Sequence, residues 1–369
     1  MKLDPSLDGP VLSEVFDRYG WSPRRIHYTR GVLRVQTDEG EFALKKSSVP
    51  GEKLRILHQV LESIREKGYP HLLSWVMTRK GEPFAETDQG NWYASPWYGK
   101  AAVKGNEVPA DELIRDLARF HRLSQPLVEE EEPLFEASLA SLPEQWREWK
   151  KQMDRWRELV GNREFSSPFD RTFREHGDFL EKSLQFSLQG VERFTVSGGD
   201  LPRRALLHKR LHPQNLLVGD EGWRWIDWDN AAVGSPAGDI AAFLRRFLPV
   251  EEDEILDPAA LLEAYEKEWP LPGNEKKLLA LHLAYPVRPL RLLHRYYTER
   301  RHDGEAATIR RLEEEVDRLH VFQDWIRSEW KQKPSRKPTE KKPGRETAGV
   351  RSGNPSARRR PPGARRQRN

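Results

Sequence analysis

The chain has 369 residues, a third of them charged, no cysteine, and a formal net charge of +4. That length suits two domains, or one bilobed domain with extensions, and the lack of cysteine excludes disulfides and thiolate metal sites. There is no apolar run of about 18 residues, so no transmembrane helix is expected, and the start Met1-Lys2-Leu3-Asp4 lacks the apolar stretch of a secretory signal.

Residues Leu7 to Tyr19 read as a short helix through Val11, Leu12, Val15 and Phe16, stopped by Gly20. Three strands follow, Arg24–Thr29, Gly31–Thr37 and Glu41–Lys46, the last two joined by the tight turn Asp38-Glu39-Gly40. From Glu52 to Lys67, Leu54, Leu57, Val60, Leu61 and Ile64 recur at helical spacing, and Gly68 ends the run. Two more hairpin strands finish at Asn91-Trp92-Tyr93-Ala94-Ser95-Pro96-Trp97. Hairpin, lysine strand, helix, two strands and hinge is the order of a kinase small lobe, here residues 1–98.

Beyond the hinge the pattern turns helical, over residues 99–330. Asp111–Leu123 buries Leu113, Leu117, Phe120 and His121, and Asp170–Val191 is a further helix. Between them, Pro143–Leu159 carries Trp146, Trp149, Met153 and Trp156 as a stripe that reads as a core or interlobe face, with a substrate lid as the alternative. More helices are predicted over Ala237–Phe247, Asp257–Trp269, Glu275–His282, Val287–Tyr297 and Gly304–Lys331.

Within this half lies Leu206-Leu207-His208-Lys209-Arg210-Leu211-His212-Pro213-Gln214-Asn215, followed by Ile226-Asp227-Trp228-Asp229. In a kinase fold an H-x-D-x-x-x-x-N loop supplies an Asp that takes the hydroxyl proton and an Asn that holds Mg²⁺, and a second Asp bridges metal to phosphate. His208 and Asn215 stand at that spacing, and Asp227 closes a hairpin where the second metal ligand belongs. Mg²⁺ takes hard oxygens from one or two side chains plus phosphates. The plainer reading makes Asn215 and Asp227 local turn and cap residues. The base position holds Arg210, which has five donors, no acceptor, and does not give up its proton.

Lys45 is the candidate phosphate-gripping lysine, with Glu52 as its expected partner; an exposed strand lysine is the alternative. Tyr93 and Trp97 on the hinge strand are candidate nucleotide contacts. Tyr28-Thr29-Arg30-Gly31-Val32 offers one glycine and no G-x-G-x-x-G to cover a triphosphate. His208 is carried as a catalytic-loop candidate, with a backbone-bonded structural role as its plainer reading. Asp239 is expected to anchor the loop through buried hydrogen bonds, and Asp229 is the acid near enough in sequence to substitute as base.

Together these motifs resemble the aminoglycoside phosphotransferase and choline kinase superfamily, in which H-G-D-x-H-x-x-N and I-D-W-D/E recur. Within it the chain is similar to bacterial spore coat proteins of the CotS type. The likeness runs from about Val11 to Asp324, and rests also on Arg30-Gly31-Val32, Ala43-Leu44-Lys45, Glu52-Lys53-Leu54, Leu117-Ala118-Arg119-Phe120-His121, and Ala284-Tyr285-Pro286 through Tyr296-Tyr297. It implies an α+β, bilobed protein-kinase-like fold and a place in the endospore coat after synthesis in the cytoplasm. It also implies Lys45, Glu52, Asn215 and Asp227 as nucleotide and metal groups for ATP and Mg²⁺. Lys209 and Arg210 depart from the family's Gly-Asp.

The chain ends in a Pro-, Lys- and Arg-rich stretch from Lys331 to Asn369. It holds 14 Lys/Arg against Glu340 and Glu346, a net of +12, which leaves Met1–Trp330 at −8. Such a composition cannot offset the entropy of ordering its backbone, so a disordered basic tail is expected. Three functions follow for testing: a pseudokinase that binds coat partners and weakly binds nucleotide; a working phosphotransferase on a small-molecule or protein hydroxyl; or nucleic-acid binding through the tail. For the tail, acidic protein surfaces such as those of coat proteins are the expected partner ahead of nucleic acid.

Overall fold

A computed structural model describes residues 9–102, 107–128, 139–196, 200–248, 250–251, 254–255, 257–301 and 304–331. The first of two units, Met1–Glu329, carries everything below. The expected tail lies, apart from Lys331, outside the described residues.

The small lobe opens with α1 (Gly9–Tyr19), which buries Leu12, Val15, Phe16 and Tyr19. These pack on one face of an antiparallel sheet made of β1 (Arg25–Thr29), β2 (Val32–Thr37), β3 (Gly40–Ser47), β4 (Ala85–Thr87) and β5 (Gly90–Pro96), in the order β1-β2-β3-β5-β4. Because side chains alternate along a strand, Leu33, Val35, Leu44 and Ala94 share the buried face. Lys45 stands opposite Val32 and Tyr93 on the other face, as Ala43 stands opposite Arg34 and Ser95. The β1–β2 turn is only Arg30-Gly31, both with positive φ (49° and 83°). A two-residue turn of this hand matches the twist of its strands.

Helix α2 (Gly51–Glu66) turns Leu57, Val60, Leu61 and Ile64 toward the large lobe's core. After the hinge, β6 (Lys100–Ala101) pairs with β8 (Leu216–Gly219), which pairs in turn with β9 (Gly222–Trp225). Gly99 makes this crossing possible: its φ is +45°, and a Cβ there would lie 2.2 Å from the Val218 carbonyl oxygen. The short strand β7 (Ala205–Leu207) pairs with β10 (Ala232–Gly234) at the root of the catalytic-loop motif. Neither β6 nor these two strands was expected from the sequence. Each is two or three residues long, too short to show a period.

The large lobe comprises α3 (Ala110–Val128), α4 (Leu142–Gly161), α5 (Pro168–Val196), α6 (Ala237–Phe247), α7 (Pro258–Glu268), α8 (Gly273–Ala284), α9 (Val287–Tyr297) and α10 (Glu305–Lys331). Helix α3 packs against α7, β7 and α2. The tryptophan stripe of α4 is core: Trp146, Met153 and Trp156 are buried with residues of α5, α9 and α10. Trp146 stacks on Tyr285 at 4.3 Å between centroids. The tyrosines of the 284–297 segment have the same packing role, Tyr296 stacking on Phe169 and the Tyr297 hydroxyl donating to Asp170 at 3.0 Å. Among the described residues no helix is long and apolar enough to cross a membrane.

Candidate functional site

The loop after β7 is held from beneath. Asp239, on the first turn of α6 and 1% exposed, accepts the backbone N–H of His208 at 2.6 Å and of Lys209 at 2.9 Å. His121 of α3 comes within 3.5 Å of the same carboxylate. Burial pushes the Asp239 carboxyl up, but His121, His208 and that backbone hydrogen bond outweigh it and hold it below the usual range.

His208 is fully buried. Its Nε2–H donates to the Ile226 carbonyl at 2.9 Å, and Nδ1 accepts the Arg210 N–H at 3.3 Å. With both ring nitrogens committed to backbone and its pKa lowered by burial, it sets the shape of the loop. This favours the plainer, backbone-bonded reading of His208 over a catalytic one, since neither ring nitrogen is left free for a substrate.

Asn215 ends a 3₁₀ turn that begins at Pro213, and its side-chain amide donates to the Arg210 carbonyl at 2.9 Å. Its backbone carbonyl accepts the Ile226 N–H at 3.0 Å, which ties it to the strand leading into Asp227. Asp227 itself is left-handed, φ 68° and ψ 55°. Asp tolerates that region better than most residues, and strain of this kind gathers at functional sites.

The carboxylate of Asp227, 15% exposed, has both oxygens engaged. Lys45 Nζ binds Oδ1, and Arg210 donates to Oδ2 at 2.9 Å. Lys45 also lies 3.1 Å from Asp229, which accepts the Tyr93 hydroxyl at 2.9 Å. Burial raises the Asp227 carboxyl, but Lys45 and then Arg210 outweigh it and hold it below the ordinary carboxylate range. The Tyr93 phenol is pushed well up, first by burial and then by Asp229. Two cations thus face two carboxylates, and the cluster is neutral.

Lys45, Tyr93, Asn215, Arg210 and Asp227 are therefore brought together, and Glu52 is not. Glu52 is exposed on the first turn of α2, whose apolar residues take the buried face, and the expected Lys45–Glu52 pair is not made. Asp229 is likewise spent on Lys45 and Tyr93 rather than held free as a base. Trp97 is covered: the Arg34 guanidinium lies 4.6 Å above its ring, held by Glu41 at 2.8 Å. Arg34 was missed in the sequence, since only its register opposite Ala43 places it there.

The donor set bears on what the site can hold. Lys45, with oxygens from Asn215 and Asp227, fits a phosphate–Mg²⁺ group in residue type and number. At the hinge, the Arg34 guanidinium occupies one face of the Trp97 ring, which closes that face to a stacking base. The third position of the His208 loop carries Arg210, a donor with no acceptor.

Among solved structures, the chain is similar to an aminoglycoside phosphotransferase from Alicyclobacillus acidocaldarius (TM-score 0.72, 18% identity, covering 89% of this chain and 98% of that one). It is also similar to a spectinomycin phosphotransferase solved with ADP and spectinomycin (TM-score 0.63, 13% identity, covering 87% and 99%). At these identities the likeness establishes the fold, a kinase-like aminoglycoside phosphotransferase fold. Spore coat protein S of Bacillus subtilis is 23% identical over 286 residues, 74% of this chain and 78% of that protein. Endospore coat-associated protein YutH of the same organism is 23% identical over 308 residues, 78% and 83%. With its family model matched over residues 13–328, the chain belongs to the family described as spore coat putative kinase YutH.

Proposed function

We propose that this chain is a pseudokinase of the spore coat: a kinase-fold component that binds partners and binds nucleotide weakly, without turnover. The observation that carries this reading is the Arg210 guanidinium on Asp227 Oδ2, Arg210 being the residue that the loop spacing aligns with the catalytic carboxylate. It supplies positive charge where a metal would, and it cannot accept a proton. The relatives named as coat proteins support assembly into the coat after synthesis in the cytoplasm.

Purified protein is expected to show no Mg-ATP hydrolysis or transfer to hydroxyl acceptors above background. A thermal-shift titration is expected to show a small gain with Mg-ATP that Asp227→Ala removes; a ligand at 100 times its Kd adds about 2.7 kcal/mol. Clear turnover in the wild type, abolished by Asp227→Ala, would overturn the reading. It would support the rival, an active phosphotransferase, which the retained Lys45, Asn215 and Asp227 favour. Phosphoryl transfer relies mostly on positioning and charge, and a lost general base costs only about 10²–10⁴-fold.

The basic tail is proposed as an electrostatic tether to acidic coat proteins, its affinity falling as salt rises. A chain ending at Trp330 is expected to fold normally and fail to reach spores. Normal localisation of that truncation would refute the tether. A linear fall of log affinity for DNA with log salt, at affinities exceeding those for acidic proteins, would point to nucleic acid instead.

A further inference from the structure

Three helices of the large lobe bring arginines together, through contacts of Arg245 with Tyr285, Arg318 with Leu248 and Arg288 with Glu315. Arg245 and Arg246 end α6, Arg288 and Arg291 lie three residues apart at the start of α9, and Arg318 comes from α10. One carboxylate answers them directly: Glu315, 2.6 Å from Arg288. Arg245 donates to the His282 and Tyr285 carbonyls and Arg318 to the Leu248 carbonyl, so backbone acceptors account for those two. The side chains of Arg246, Arg291 and Lys209 make no hydrogen bond or ion pair among the described residues. Arg246 is nevertheless half-buried, while Lys209 and Arg291 are exposed.

These cations share one field with the loop. Burial, then Arg288, pulls Arg246 down to about 10. The His212 imidazole, two residues past Arg210, is lowered by burial and then by Arg246, Arg288 and Arg210. His282, lowered by burial and then Arg245, also feels Lys209. Gathering like charges costs free energy in the protein alone. Cations at the amino end of α9 also oppose the helix dipole. A ligand carrying negative charge would relieve both.

We propose that Arg246, Arg291 and Lys209, with Arg210 and Arg288, form a binding site for an oxyanion-rich segment of a protein partner, bearing carboxylate or phosphorylated side chains. Guanidinium forks engage both groups in bidentate fashion, and clustered arginines are the usual readers of such motifs. A nucleic acid would call for an extended basic track with stacking aromatics. Here the arginines gather where the ends of α6, α9 and α10 meet, through Arg318 on the Leu248 carbonyl and Arg288 on Glu315, on a body that carries −8 overall, which favours a short segment. The proposal rests on the fold serving binding rather than turnover, and it gives that binding a chemistry.

The test uses the full-length chain and fluorescent peptides of one sequence carrying serine, phosphoserine or aspartate, titrated by anisotropy at physiological salt. Arg246→Gln/Arg291→Gln is compared with Arg359→Gln/Arg360→Gln, which removes equal charge from the tail. The phosphoserine and aspartate peptides are expected to bind, the serine peptide not. The first double variant should lose about tenfold in affinity, or about 1.4 kcal/mol, the tail variant far less, with hydrogen exchange slowed at residues 209–212 and 287–291. Equal loss in both variants, protection confined to the tail, or single-stranded DNA competing as well as the peptides would overturn the site. If the first variant unfolds in a thermal melt, Arg246→Lys/Arg291→Lys keeps the charge without the forks. It should bind more weakly, and wild-type affinity would refute fork recognition. ATP turnover by the wild type would sink the pseudokinase reading while leaving the peptide result to stand or fall by itself.

Discussion

The root and the tip of the catalytic loop obey different constraints. At the root, His208 and Asp239 are almost wholly buried, and the Asp239 carboxylate and both His208 ring nitrogens have partners. At the tip, Lys209 and Arg210 face solvent, and the Arg210 side chain is 62% exposed. The root fixes a path for the chain, and a change there leaves a buried polar group unpaired. The tip sets the chemistry and contributes little to folding. The loop's shape is thus set by buried groups that do not include Arg210, as the proposed pseudokinase reading requires.

The largest way to break this contrast is Asp239→Ala. It strips the His208 and Lys209 backbone donors of their acceptor and removes the carboxylate beside His121, and a loss of about 3–5 kcal/mol in urea unfolding is expected. A loss under about 1 kcal/mol would mean that the root does not hold the loop.

Protonation probes the same buried half of the lobe. His282 is pushed down from 6.5 to about 3, by burial first and then by Arg245 and Lys209. Its folded-state pKa lies below the unfolded value, so its neutral form is favoured by folding. The stability linked to it is present above about pH 6.5 and is lost as pH falls toward 3, at up to about 1.4 kcal/mol per pH unit. His208 acts in the same direction. Urea midpoints should fall between pH 7 and pH 5, and His282→Gln should flatten that slope by about one proton. An unchanged slope would assign the pH dependence to other groups.

Lys209 sharpens the comparison from the tip. Its φ is +63°, a conformation that glycine adopts without a steric cost and that lysine does not. Lys209→Gly is expected to stabilise the protein by about 1 kcal/mol in chemical unfolding, and a destabilisation would show that the lysine side chain supports the fold.

The smallest effect on stability should come from Arg210→Ala. Its ion pair with Asp227 is largely solvated on the arginine side, so a change of less than about 1 kcal/mol is expected. What should move instead is the Asp227 carboxyl, upward, together with a stronger dependence of nucleotide binding on Mg²⁺. Identical Mg²⁺ titrations for wild type and variant would mean that Arg210 does not stand in for metal charge.

The sequence alone determined a good deal. Apolar spacing marked the buried faces of α1 and α2 nearly to the residue, the expected bounds of α6 match, and turn chemistry marked the β2–β3 and β8–β9 hairpins. The spacing of His208, Asn215 and Asp227 located the loop, and the absence of an acceptor on Arg210 follows from the side chain itself. Periodicity reports that a face is buried, not what covers it. Only the tertiary structure could therefore make the tryptophan stripe of α4 core against Tyr285 and its neighbours. Charge pairing depends likewise on distances set by remote packing. Lys45 meets Asp227, 182 positions away, rather than the nearby Glu52. Arg34 lies over Trp97 because sheet register puts it there, and the arginines of α6, α9 and α10 gather from three helices whose sequence separation conceals their proximity.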